Sequence, residues 1–134
     1  MKKRYTILLL VVALLLTVLS SCSMGERKDE RLIGRWRTVS CVSDSGAEAD
    51  IENNLDMVLY STGIGTLEID GEIQLMFDYT AYRGKLTRII SGELDRTVEE
   101  SYTLSKDGNT ITIYAPADQL TMVMVRVTSD EPQK

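Results

Sequence analysis

The sequence predicts an all-β chain, an antiparallel up-and-down barrel of about eight short strands preceded by an N-terminal signal helix. Three observations lead there. First, β-type runs recur between turn-forming residues at intervals of about six to twelve residues, which leaves no room for long helices. Second, the connections are short throughout, and short connections favour sequential neighbours, hence a meander. Third, the last run, residues 119–128, is apolar on both faces, through Leu120, Met122 and Met124 and through Val123, Val125 and Val127. Such a strand is a poor open edge. Closing the sheet against the first strand would bury it, although the strand spacing alone also fits a sandwich.

The elements follow in order. Residues 32–42 open the domain, with Gly34 as punctuation before a β-rich run. Residues 43–54 are rich in Ser, Gly, Asp, Glu and Asn and form a loop or a short helix. Residues 55–60 are the second strand, ended by Ser61-Thr62-Gly63. Residues 64–69 and 72–82 are joined by Asp70-Gly71, a strong hairpin signal because both turn positions need positive φ. In the second arm Ile73, Leu75, Phe77, Tyr79 and Ala81 share one face; Glu72, Gln74, Asp78 and Thr80 lie on the other, with Met76. Arg83-Gly84 turns the chain into residues 85–91, where Leu86, Arg88 and Ile90 oppose Thr87 and Ile89. After a connection at 92–96, residues 97–105 group Val98, Glu100, Tyr102 and Leu104. Lys106-Asp107-Gly108-Asn109 is a turn by composition. Residues 110–115 pair back with Ile111 and Ile113 inward, and Ala115-Pro116-Ala117-Asp118 turns into the last strand. Residues 129–134 read as a solvated tail.

Residues 1–21 read as an address label. Lys2, Lys3 and Arg4 precede an apolar run at residues 7–19 broken only by Thr17. A bilayer core takes about 20 apolar residues, so this run suits a signal peptide better than a membrane span. It ends in Leu19-Ser20-Ser21-Cys22. This tetrad resembles the lipobox of bacterial lipoproteins, which implies cleavage before Cys22 and lipid attachment to it. By that resemblance the cysteine carries two or three acyl chains. Each buried methylene contributes about 0.8 kcal/mol, so attachment would be lasting. Ser23 after the cysteine leans towards the outer membrane by the same resemblance. A plain secretory leader with Cys22 as an ordinary thiol is the alternative. Residues 22–31 are polar and charged and read as a tether, or as an exposed turn leading into the domain.

Composition narrows the chemistry. The formal charge of −5 becomes −8 once Lys2, Lys3 and Arg4 leave with the leader. An acidic domain lacks the electrostatic footprint of a nucleic-acid binder. The membrane contact expected is the lipid, not the protein surface. There is no histidine, which removes His-based catalysis and most zinc sites. With Cys22 committed to lipid, Cys41 has no internal partner and reads as a buried small hydrophobe. Asp44, Glu48, Asp50, Glu52 and Asp56 are an acidic scatter without the spacing of a calcium loop, and read as solvated. No cofactor, metal or catalytic residue is expected, and the chain is not expected to be an enzyme.

Leu32-Ile33-Gly34-Arg35-Trp36 resembles the Gly-x-Trp opening of lipocalins and of small Bacteroidetes-type lipocalin-like lipoproteins. The resemblance spans residues 32–128 and implies a lipocalin-like barrel. It also implies that Arg126, late on the final strand, stacks over Trp36 and closes one end with Gly34; a guanidinium over an indole gains about 0.5–2 kcal/mol. Arg88 and Glu100 lie on apolar faces of neighbouring strands. Either they meet inside and orient the polar head of an apolar ligand, or a bulge returns them to solvent. With Phe77, Tyr79 and Tyr102 they form the candidate ligand-binding set. Two functional classes follow. One is a membrane-anchored monomer holding a small hydrophobic ligand in the cell envelope. The other is an envelope protein–protein interaction or inhibitor module without a pocket.

Overall fold

The structure, a computed structural model, describes residues 28–92 and 95–128. The signal segment, Cys22 and the tail lie outside the described residues. Eight strands follow one another: β1 Gly34–Ser43, β2 Leu55–Leu59, β3 Ile64–Ile69, β4 Glu72–Tyr82, β5 Lys85–Ile90, β6 Arg96–Leu104, β7 Thr110–Ala115 and β8 Leu120–Val127. Each pairs antiparallel with the next, and β1 pairs with β8, so the sheet is a closed barrel. The meander and its closure therefore hold. Ser43 ends β1, and the 44–54 segment is a loop, with no helix.

Turn chemistry explains the hairpins. Asp70 and Gly71 have φ of 50° and 85°, and Arg83 and Gly84 have 49° and 77°. These are the positive values a two-residue hairpin turn requires, and glycine supplies the second without strain.

Alternation then sorts the faces. Trp36, Met57, Leu59, Phe77, Tyr79, Leu86, Tyr102, Ile111, Ile113 and Met124 point inward and pack as one core. The Phe77 ring lies over Gly65, where any Cβ would come within 2.4 Å of it. Arg35, Arg37, Glu68, Lys85 and Glu99 face outward, alongside the exposed Ile64, Met76 and Ile89.

Two bulges break the alternation. In β4, Leu67 pairs with Leu75 but Glu68 pairs with Ile73, so Gln74 is an extra residue. Ile73 consequently turns outward and is 57% exposed, which corrects its assignment to the inner face. In β1, Thr38 pairs with Met124 and Ser40 with Val123, so Val39 is the extra residue. Strict alternation would point Cys41 outward. The bulge turns it inward, opposite Met122.

On the outer face of the barrel wall, the sequence reading of Asp56 as part of a solvated scatter fails. Asp56 sits in β2 and is 2% exposed. It accepts hydrogen bonds from Arg35 (3.0 Å) and from Arg37 (2.9 and 3.1 Å), while Arg35 also reaches Glu68 at 3.2 Å. Burial pushes the Asp56 carboxyl up, but the two guanidiniums together outweigh it and hold it below its ordinary value.

Candidate functional site

The antiparallel order gives the barrel two unlike ends. At the base, residues 28–31, the end of the expected tether, pack onto the barrel. Lys28 bridges to Ala81, the Asp29 amide donates to the Ala81 carbonyl at 2.8 Å, and a 3-10 turn, Glu30–Leu32, follows. Leu32 and Trp36 are fully buried, and the indole Nε1 donates to the Leu32 carbonyl at 2.8 Å. The Arg126 guanidinium stands 4.3 Å from the Trp36 ring. It donates to the carbonyls of Ile33 (2.9 Å) and Gly108 (3.2 and 3.3 Å) and to that of Arg31. Gly34 has φ of 138°, and a Cβ there would lie 2.7 Å from Arg126 Nη1. Only glycine fits both the conformation and the approach. The base is thus a plug.

Tyr102 fastens the incoming segment to that plug. Its hydroxyl donates to Asp29 Oδ2 at 2.9 Å. Burial, then the hydrogen bond to Asp29, pushes the Tyr102 phenol up to about 12. The Arg31 guanidinium foremost, and Tyr102 with it, hold Asp29 below its ordinary value although burial opposes this. A phenol raised in the folded state stabilises fully below its free value near 10. That contribution fades as pH rises towards about 12. Tyr102→Phe should therefore flatten the loss of stability between pH 10 and pH 12, read as denaturation midpoints against pH beside the parent chain. At neutral pH it should cost about 1.5–3 kcal/mol for the lost charge-assisted bond.

Above the plug the interior is filled. Phe77, Tyr79 and Tyr102 are 3%, 2% and 7% exposed and belong to the core. Arg88 and Glu100 do meet inside: Nε donates to Oε2 at 3.1 Å and Nη2 to Oε1 at 2.5 Å. Their side chains are 12% and 2% exposed, and Arg88 also stands 5.4 Å from the Phe77 ring. The five residues expected to touch a ligand are brought together, but none lines the cleft described next. Their large rings and the bidentate ion pair fill the interior of the barrel instead.

The other end is open. The loop between β1 and β2 folds back, with Val42 bridging to Glu48 and the Ala49 amide donating to the Cys41 carbonyl at 2.8 Å. Between loop and wall lies a cleft of about 360 Å³. Its wall is Thr38, Cys41, Leu55, Ile69 and Met122, and the loop contributes Ala49, Asp50, Ile51, Glu52 and Asn53. Cys41 is half-buried here, not fully buried as the sequence suggested. Thr38 is 4% exposed, and its hydroxyl is buried with no hydrogen-bond partner among the described residues. Such an orphan costs about 1–3 kcal/mol. Thr38→Val, of the same shape, should raise the unfolding free energy by about 1 kcal/mol, seen as a higher denaturant midpoint at unchanged slope.

Sequence reasoning missed this cleft. The loop has no period to read, and the bulge at Val39 that turns Cys41 inward is invisible to alternation. Among the described residues no group of three or more His, Cys, Asp or Glu is placed to hold a metal ion. Fold and site together define a small closed meander barrel with a plugged base and a partly apolar cleft at its mouth. No family model, no curated protein and no solved structure matches this chain.

Proposed function

We propose that this chain is a lipocalin-like lipoprotein, anchored through lipid on Cys22 in a bacterial envelope, outer membrane included, whose barrel binds a small hydrophobic molecule at its mouth. The observation that carries the reading is the cleft of about 360 Å³ walled by Cys41, Ile51, Leu55, Ile69 and Met122. Its size and lining suit a small ligand, and it lies at the end opposite the Trp36–Arg126 plug. The anchor rests on Leu19-Ser20-Ser21-Cys22 after its charged and apolar leader. The test is native mass spectrometry of the full chain purified from its own membranes. A co-purifying small molecule that is lost in Ile51→Trp, which fills the cleft from the loop, supports the reading; a ligand-free parent chain rejects it. Labelled palmitate should enter the parent chain and not Cys22→Ala.

A second reading, a protein-interaction module, draws on one patch. Ile64, Met76 and Ile89 are 38%, 57% and 44% exposed around a shallow groove of about 220 Å³ on the outer wall. Crosslinked partners that vanish with Met76→Glu would favour it.

A further inference from the structure

We propose that the cleft selects an uncharged or cationic amphiphile and rejects fatty-acid-type anions. The proposal rests on the cleft being the ligand site. Three features carry it.

The first is the charge around the opening. Asp50 and Glu52 are both exposed and both line the cleft, and among the described residues no lysine or arginine lines it. A carboxylate entering there would meet two like charges beside an apolar wall, where screening is weaker than in bulk water. The second is the state of an interior cation. Arg88 is bound through two of its nitrogens to Glu100 and lies outside the lining, so it offers no counter-charge to an anion. The third is Thr38. Its hydroxyl is the polar group of the wall without a partner, and a hydroxyl both donates and accepts. A rotation about χ1 exchanges its oxygen and methyl positions, so a ligand hydroxyl or amine reaching the floor can complete the missing hydrogen bond. Tolerating an orphaned hydroxyl at this one wall position is what a site waiting for a polar head would do.

Three probes of equal chain length separate the possibilities: octanol, octylamine and octanoate. The full chain is held in an amphipol, so that no free detergent tail competes, and carries ¹³C-methyl methionine. Met122 lines the cleft, while Met76 on the outer wall is the internal control. Octanol and octylamine should shift the Met122 methyl signal and leave Met76 in place. Octanoate should bind about tenfold more weakly or worse, which corresponds to about 1.4 kcal/mol. Thr38→Val should weaken octanol binding, and Asp50→Asn with Glu52→Gln should restore octanoate. Octanoate binding as tightly as octanol, or octanol binding unchanged in Thr38→Val, would overturn the selectivity while leaving the site standing. If no probe moves Met122, the site reading itself falls.

Discussion

Arg88→Met should lower the unfolding free energy by roughly 3–5 kcal/mol, because it strands a carboxylate that the fold has taken out of water. Glu100 is 3% exposed, and Arg88 is its ion-pair partner, gripping both carboxylate oxygens. The desolvation of Glu100 is offset only while that guanidinium is present. Glu100→Gln should cost less than Arg88→Met, since a neutral amide is cheaper to leave half-satisfied than a charge. Replacing both, as Arg88→Met with Glu100→Leu, should recover most of the loss, since apolar pairs of similar volume are often as stable as the ion pair they replace. Denaturant midpoints at constant slope provide the measurement. A single-variant loss below about 1 kcal/mol would mean that water screens the pair.

Trp36→Ala should cost about 3–5 kcal/mol, the range for deleting a large buried aromatic. The indole is fully buried, carries the weight of Arg126 on one face and satisfies the Leu32 carbonyl through Nε1. Removing it opens a void under the guanidinium and orphans that carbonyl. Arg126→Met keeps much of the packing and loses the stack, together with the hydrogen bonds to Arg31, Ile33 and Gly108, so its effect should be smaller. The two losses share atoms, and the double variant Trp36→Ala with Arg126→Met should fall short of their sum. Trp36 is the one tryptophan of the chain, so its variants are followed by far-ultraviolet circular dichroism; Arg126→Met can be followed by the indole fluorescence itself.

The fold was legible where local chemistry and alternation agree. Asp70-Gly71 and Arg83-Gly84 announce their turns because few dipeptides tolerate two positive φ values in succession. The strand apolar on both faces announced closure because an open sheet would leave it in water. The limits are equally physical. Alternation puts Ile73 on the wrong face because a bulge adds a residue without any mark in the apolar pattern. Asp56 groups by sequence with a loop's acids because nothing local shows that Arg35 and Arg37 stand beside it on the neighbouring strand. Arg88 and Glu100 could be placed on inner faces by counting, but whether they met depended on a register that counting does not supply. The cleft was hidden most completely, since a loop folding onto a wall has no periodicity at all.

The pairing of β1 with β8 also governs how the chain can be made. Every other pair of neighbouring strands is also consecutive in sequence, the longest connection being the loop between Ser43 and Leu55, so those contacts form as soon as the ribosome has delivered both arms. The seam between the first and last strands joins residues such as Trp36 and Arg126 across almost the whole domain, and it bears the loop-closure entropy of that span. A product terminated before residue 120 therefore has two bare strand edges and an uncovered tryptophan, whatever else it has folded. Premature stops and proteolytic clipping within β8 should yield aggregating or degraded fragments rather than weakened barrels, so that the eighth strand decides the fate of the whole barrel.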